Sequence, residues 1–162
     1  MRILGFIVLG IALIAVALVL AGQMGLLRGK PPSGLGVHDG RLKPPARTPN
    51  SVSSQADLYP EHPQRQFSRI APIRFTSTPE QAMARIVAIL QATEGTAIVT
   101  NTPDYIYAQC TTRVLKFTDD IEFWLDRSAG VIQVRSASRL GQKDFDVNRN
   151  RVEAIRAKFN AS

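Results

Sequence analysis

The sequence is poor in the residues from which metal and redox centres are built. A single cysteine, Cys110, excludes an internal disulfide framework, a cysteine-based zinc site and an iron–sulfur cluster. The two histidines, His38 and His62, lie ahead of the predicted folded region and lack the spacing of metal ligands, so we expect no metal and no cofactor. The folded region therefore has no histidine to act as base for a serine or cysteine nucleophile. P-loop and dinucleotide-binding glycine motifs are missing as well.

Charge is distributed unevenly along the chain. The formal net charge of +7 falls to +4 when Arg2, Arg28 and Lys30 are removed together with the first thirty residues. Part of the excess of positive charge therefore flanks the apolar segment at the start of the chain. The basic composition does not by itself predict nucleic-acid binding. We expect no nucleic-acid partner.

A long apolar run opens the chain. Ile3–Gly22 contains twenty residues without a charge or a side-chain amide, which is the length a helix needs to cross the hydrocarbon core of a bilayer. A cleaved signal is the competing interpretation, but this run exceeds the usual apolar region of roughly 7–15 residues, and no clear A-x-A cleavage site follows it. Residues 1–28 are therefore predicted to be a retained single transmembrane helix, a signal-anchor.

Two opposing signals leave the orientation of this helix open. A two-residue N-terminal tail with one arginine resembles the start of an export signal, which places the domain outside. Counting basic residues places it in the cytoplasm instead. The basic residues after the helix are Arg28, Lys30, Arg41, Lys43 and Arg47, against Asp39.

Two regions follow the apolar run. Residues 29–66 are rich in proline, glycine and serine, include the TPNSVSS element, and are predicted to be a tether. Residues 67–162 are predicted to form the folded domain. Within it, Thr78 is predicted to cap a helix that begins at Pro79, with Gln81 completing a capping box and Gly95 ending the helix.

Alternation of apolar and polar residues predicts a short edge strand before this helix and four strands after it, then a last helix capped by Asp144 or Asp146. The order β-α-β-β-β-β-α predicts an α+β fold. We expect a two-layer sandwich in which an antiparallel sheet of four to five strands carries two helices on one face, preceded by the transmembrane helix. Matching apolar residues across the last two strands predicts that Asp126 lies opposite Val131 and Glu122 opposite Arg135.

One face of this sheet is predicted to gather aromatic rings, arginines and amides, a combination typical of binding surfaces. The alternatives are that the tether folds back over this face or that the face is simply solvated. Its predicted members are Tyr105, Tyr107, Gln109, Thr111, Arg113, Glu122, Trp124, Gln133 and Arg135.

A second group surrounds the predicted turn into the last helix. Hydroxyls, guanidinium groups and helix-start amides suit a phosphate or carboxylate, but a structural network with nearby aspartates is favoured because the acids are as plentiful as the bases. This group comprises Arg135, Ser136, Ser138, Arg139, Asn148, Arg149 and Arg151, and the aspartates are Asp119, Asp120, Asp144 and Asp146.

Three stretches together resemble the family of domains of unknown function numbered 1499. They are Thr48–Ala56, Phe117–Phe123, and Val134–Gly141 running on into Asp144, Val147–Arg149 and Arg151–Glu153. The resemblance implies no established activity, cofactor or catalytic residue. Family members are mostly bacterial, with plastid relatives, and often carry an export signal or lipid anchor, which implies a domain on the periplasmic side of the inner membrane.

The chain departs from the family pattern at two places, and the resemblance implies one contact within the domain. Many members have cysteines around the Pro-Asn-x-Val-Ser-Ser element, where this chain has Ser51 and Pro45, and Asp146 stands where we expect glycine. Because the family motif residues are polar ones, we expect the TPNSVSS element to fold onto the domain and contact the Arg135–Arg139 strand.

Together these features predict a membrane-anchored, non-enzymatic binding or scaffold domain for a membrane or envelope protein. One alternative is the binding of an anionic small molecule or lipid headgroup by the arginine and serine group. The other is a hydrolase that uses an acidic pair among Asp119, Asp120 and Glu122, which is disfavoured because neighbouring arginines should hold these acids ionised.

Overall fold

The first helix of the protein stands apart from the rest. The computed structural model describes residues 2–161, and α1 spans Arg2–Gln23. By length and composition α1 can cross a membrane, a property that a membrane anchor and a signal sequence share. Its apolar side chains are exposed along its length, and Gly22 is its one buried residue. The helix therefore extends away from the folded domain.

An antiparallel sheet forms the centre of the domain. Its strand order is β1-β6-β5-β4-β3, and β2 pairs with the same edge of β6 as β1. This arrangement confirms the predicted α+β class. The strands are β1 (Ser51–Ser53), β2 (Ile73–Arg74), β3 (Thr96–Asn101), β4 (Tyr105–Thr111), β5 (Thr118–Asp126) and β6 (Val131–Ser138), and the helices are a 3-10 turn (Ala56–Leu58), α2 (Arg65–Ser68), α3 (Pro79–Gln91) and α4 (Val147–Asn160).

The hydrophobic core lies between one face of the sheet and two helices. Apolar residues recur at helical spacing in α3 and α4, so each helix presents a single apolar stripe to the sheet. Strand alternation brings Ile106, Ile121, Phe123, Ile132 and Val134 to the same side. The helical members of the core are Ala82, Met83, Ile86, Ile89, Leu90, Val152, Ile155 and Phe159.

The start of α3 forms as predicted, whereas its end does not. The Thr78 hydroxyl accepts a hydrogen bond from the Gln81 backbone, and the Gln81 side chain accepts one from the Thr78 backbone. The prediction that Gly95 ends the helix is wrong, because α3 ends at Gln91 and Ala92 caps it. Gly95 instead precedes β3, where its φ of +73° and the proximity of the Thr111 carbonyl require a residue without a Cβ.

The hairpin of β5 and β6 has the predicted register. Asp126 lies opposite Val131, and Glu122 lies opposite Arg135. The strand that precedes this hairpin, β4, ends at Thr111. Val114 is exposed beyond that end.

The predicted contact between the TPNSVSS element and the sixth strand is present. Ser51 pairs with Ala137, Val52 with Ser136 and Ser53 with Arg135. Proline- and serine-rich sequence thus contributes β1, and the side chains of Ser51, Val52 and Ser53 are buried. Backbone hydrogen bonds to a neighbouring strand fix this segment where apolar burial alone could not.

We expect Asp126 to stabilise the β5–β6 turn in a pH-dependent manner. Burial raises the pKa of Asp126, but hydrogen bonds from Ser128, Gln133 and the Ala129 backbone outweigh it, so the pKa lies below its ordinary value. A carboxyl group with a lowered folded-state pKa contributes stability above its unfolded pKa of about 4 and loses it as the pH falls through the folded pKa. Asp126→Ala should therefore lower the free energy of unfolding by about 1–2 kcal/mol at neutral pH.

The measurement is denaturant unfolding of the full chain in detergent, followed by Trp124 fluorescence at pH 7 and pH 3. The difference between Asp126→Ala and the wild type should shrink at pH 3, and Asp126→Asn should show a smaller loss at pH 7. An equal loss at both pH values would contradict the role of the ionised carboxylate.

Candidate functional site

The polar face of the sheet, the face opposite α3 and α4, contains a buried ion pair. Glu122 is fully buried on β5, and Arg135 on β6 is 4% exposed. Arg135 Nη1 lies 3.5 Å from Glu122 Oε2, and the Tyr105 hydroxyl donates to Glu122 Oε1 at 2.7 Å. The carboxylate is therefore held by one guanidinium and one phenol.

A second buried pair lies beside the first. Arg139 donates two hydrogen bonds to Asp120, from Nε at 2.9 Å and from Nη2 at 2.7 Å, in the bidentate geometry that favours arginine–carboxylate pairing. The Tyr107 hydroxyl donates to Asp120 Oδ1 at 2.6 Å and accepts from Gln109 Nε2 at 3.0 Å. Tyrosines, acids and arginines of β4, β5 and β6 thus form two adjacent hydrogen-bonded groups, which together make up the network of this face.

Residues 33–46, here called the covering segment, close over this network. The Gly36 backbone donates to Glu122 Oε1 at 2.8 Å, and Arg135 Nε donates to the Pro44 carbonyl at 3.3 Å. Leu42 is 1% exposed, and its backbone donates to Gln55 Oε1 at 2.8 Å. The covering segment therefore takes the position that a ligand would need in order to reach the Glu122–Arg135 pair.

Burial shifts the titration of several groups in this network. It raises the pKa of Tyr105, and the neighbouring Glu122 charge adds to this effect. Burial and the hydrogen bond to Asp120 raise the pKa of Tyr107. Burial lowers the pKa of Arg135, whereas the hydrogen bonds to Asp120 raise the pKa of Arg139. Both tyrosines consequently remain neutral hydrogen-bond donors at physiological pH.

Strand alternation divides the predicted arginine and serine group between the two faces. Arg135 and Arg139 lie on the polar face, whereas Ser136 and Ser138 point toward α4. The structure therefore does not bring the group together as a single site.

On the helix side, Asn148 is the hub of a second buried network. Its Oδ1 accepts from the Ser136 hydroxyl at 2.5 Å and from Arg151 Nη1 at 2.8 Å, and its Nδ2 donates to Ser138 Oγ and Asp144 Oδ2 at 2.9 Å. The Asp144 carboxylate also accepts from the Asn148 backbone at 3.1 Å, which satisfies an N–H group in the first turn of α4, whereas the side chain of the N-cap residue, Asp146, makes no such bond. Arg151 Nη2 reaches Asp119 Oδ2 at 2.6 Å.

Three of the predicted site residues lie at the margins of these networks. Arg149 donates to the backbone carbonyls of Arg69 and Phe67, which fastens α2 to α4. Arg113 is exposed beyond the end of β4. Trp124 is partly buried against Gly40, whose Cβ would lie 3.9 Å from the ring. The binding role predicted for the polar face requires the covering segment to move aside, and it stays a prediction.

Sequence reasoning missed an exposed apolar cluster at the end of the domain beside α1. We call Val114, Phe117, Leu140, Phe145 and Val147 the apolar end. A groove of about 320 Å³ runs between Phe117, Leu140, Phe145 and Val147. The signal in the sequence was the presence of Leu140 and Phe145 among polar residues between β6 and α4, followed by Val147 at the start of α4, outside any periodic pattern.

A family model described as "Protein of unknown function (DUF1499)" matches residues 41–159, well over half of the chain. The chain belongs to the DUF1499 family. No curated protein and no solved structure matches it. The resemblance implies glycine at position 146, and Asp146 has a φ of +63°, a left-handed conformation that glycine adopts without strain.

Removing one partner of the buried ion pair should destabilise the domain strongly. In Glu122→Ala the Arg135 charge stays buried without its acid, so the free energy of unfolding should fall by about 3–5 kcal/mol. Glu122→Leu combined with Arg135→Met should recover much of this loss, because both buried charges are gone.

The matched control is Glu153→Ala, which breaks the Arg156–Glu153 pair, whose carboxylate is half exposed. This change should cost no more than about 1 kcal/mol. Denaturant unfolding of the three variants gives the comparison, and equal losses for Glu122→Ala and Glu153→Ala would contradict the structural importance of the buried pair.

Proposed function

We propose that this DUF1499 protein is a single-pass inner-membrane protein whose periplasmic domain binds a membrane or envelope protein without catalysis. The observation that carries the proposal is a free sheet edge at β3, next to an apolar groove on α3. Strand addition to such an edge is a common way for one protein to bind an extended segment of another.

The backbone of β3 has hydrogen-bonding groups available on its outer edge. The Thr111 backbone donates to the Gly95 carbonyl at 2.7 Å, and Ala97 lies opposite Gln109. The antiparallel pattern then directs the backbone groups of Thr96 and Ile98 away from β4. The Thr96 N–H donates to the Thr93 carbonyl at 3.2 Å, which leaves the Thr96 carbonyl and both backbone groups of Ile98 for a partner strand. Within residues 2–161 no strand pairs with this edge.

The side chains of β3 offer little protection against pairing. The strand reads TAIVTN, without the charges or prolines that often guard a sheet edge. A bulge between Ile98 and Thr100 interrupts the ladder with β4 and leaves Val99 54% exposed. An edge strand without charges or prolines is open to pairing with an extended segment of another protein.

A groove of about 410 Å³ adjoins this edge. Its walls are Glu80, Met83, Ala84 and Val87 of α3 and residues 101–103, where β3 ends, so its apolar part lies on α3. An extended segment that pairs with β3 would place alternate side chains over these apolar residues, since successive side chains of a strand point to opposite faces. The arrangement favours a partner segment that alternates apolar and polar residues.

The buried networks weigh against the two alternative functions. Asp119, Asp120 and Glu122 each lie against an arginine, which leaves an acid-pair mechanism without a free carboxyl group among them. The same pairing occupies the guanidinium groups of Arg135, Arg139 and Arg151 that an anionic ligand would need. Both sets of residues instead serve the packing of the domain.

The membrane part of the proposal rests on α1. Its exposed apolar side chains require a lipid or protein environment, and its length suits a single span. The export signals common among family members favour the periplasmic side for the domain.

Photocrosslinking tests the partner surface. A photoreactive phenylalanine analogue at Val99 or Ala84 should give a discrete protein adduct in native membranes, because both side chains border the proposed interface. The same analogue at Ala154, exposed on α4, should give none. Ala97→Lys should weaken the Val99 adduct, since a lysine on an edge strand disfavours pairing, whereas Ala154→Lys should not. Equal adducts at all three positions, or none at any of them, would contradict a β3 interface.

Reporter fusions test the anchor and its orientation. Alkaline phosphatase fused after Ser162 should be active and should stay with carbonate-washed membranes. Green fluorescent protein fused at the same position should be dark, because it would be exported by the Sec pathway. A fluorescent membrane-bound fusion would show the opposite orientation, with the domain in the cytoplasm. A soluble product that begins near residue 23 would show that α1 is a cleaved signal.

A further inference from the structure

We propose that the apolar end of the domain rests in the headgroup region of the lipid leaflet from which α1 emerges. This inference depends on the proposed membrane span, but it concerns a different surface from the β3 edge and needs no protein partner. Three observations support it: the contact between α1 and this end, the concentration of exposed apolar side chains there, and the charge around it.

The end of α1 is seated on the loop between β4 and β5. Gln23 Nε2 donates to the Val114 carbonyl at 3.1 Å. A Cβ at Gly22 would collide with the Leu115 carbonyl oxygen, so this glycine permits close contact between the helix and the loop. The chain then passes Leu140, where a Cβ at Gly29 would lie 3.0 Å from the Leu140 side chain. Val114 and Leu140 therefore lie at the level at which α1 leaves the bilayer.

Exposed apolar side chains are concentrated at this end. After residue 26, the large hydrophobic side chains that are exposed within residues 2–161 are Leu58, Val99 and the five residues of the apolar end. Phe145 is the extreme case, with 86% of its surface exposed. In water such a cluster is unfavourable, whereas aromatic and aliphatic side chains are stabilised at the boundary between headgroups and acyl chains.

The backbone at the exposed residue Phe145 adopts a strained conformation. Phe145 and Asp146 both have positive φ, at 51° and 63°. The left-handed region is unfavourable for a bulky residue other than glycine, and strain of this kind persists where the surrounding structure enforces it. The Asp144 carboxylate enforces it here, because it accepts from the backbone of both Asp146 and Asn148.

Basic side chains flank the apolar end. Arg113, Lys116 and Lys143 belong to the loops that form it, and Arg28 and Lys30 follow α1. Of the nearby aspartates, Asp119 pairs with Arg151 at 2.6 Å, whereas Asp146 is more than half exposed and lies 3.7 Å from Arg149. An apolar patch with a basic border matches a leaflet that contains anionic lipid. The occupant to which the geometry points is therefore the leaflet itself.

Depth-dependent quenching of a fluorophore tests this proposal on the full chain. Phe145→Cys, labelled with an environment-sensitive dye, is reconstituted into vesicles of phosphatidylcholine and phosphatidylglycerol. Leu140→Cys provides a second position should the first variant fold poorly. Ala129→Cys is the matched control, because the β5–β6 turn lies at the opposite end of the hairpin. The wild-type chain, whose one cysteine is buried, controls for labelling.

We expect acyl-chain doxyl lipids to quench the dye at 145 or 140 several-fold more than at 129, and an aqueous quencher to show the reverse order. In vesicles of phosphatidylcholine alone, which lack anionic lipid, the difference in lipid quenching between position 145 or 140 and position 129 should be smaller. Flotation with vesicles but equal lipid quenching at all three positions would overturn this inference and leave the span intact. Failure of the chain to float would overturn the span and this inference together, whereas the crosslinking at Val99 tests the protein partner independently.

Discussion

The buried pair of Glu122 and Arg135 is the constraint around which the polar face is organised. Two charges removed from water require hydrogen bonds on every side, and neighbouring strands alone do not supply them. Tyr105 supplies one bond to the acid, and the covering segment supplies the Gly36 donor and the Pro44 acceptor. A segment with little apolar content is thereby fixed to the domain by polar bonds that become strong when buried.

The same requirement explains why the polar residues of the family motif do not form an open site. Alternation along β6 sends Arg135 and Arg139 to one face and Ser136 and Ser138 to the other, so two networks form where the linear motif resembles one. Asn148 serves the second network as Glu122 serves the first, because it links α4 to β6 and to the Asn50 carbonyl beside β1. The motif marks how TPNSVSS, β6 and α4 are joined.

The predictable parts of the fold are those governed by local periodicity. The capping box at Thr78, the core stripes of α3 and α4 and the register of Glu122 opposite Arg135 follow from spacing alone. The covering of the polar face by residues 33–46 does not follow from spacing. It depends on backbone hydrogen bonds of Gly36 and Pro44, and backbone groups leave no periodic signal in the sequence. Gly95 misled for a related reason: a glycine after a helix signals positive φ but does not say whether the helix or the next strand requires it.

The surfaces that remain available lie at two separate places on the domain. Phe117 and Leu140 flank the shared end of β5 and β6 beside the exit of α1, whereas the free edge belongs to β3, at the far side of the sheet from β1. A domain held against the leaflet by its apolar end would keep a fixed orientation instead of tumbling on its anchor. That restriction raises the effective concentration of β3 toward a partner in the same membrane, because a larger fraction of the domain's orientations then presents β3 to that partner. Attachment to lipid and attachment to protein would then reinforce each other although no residue takes part in both.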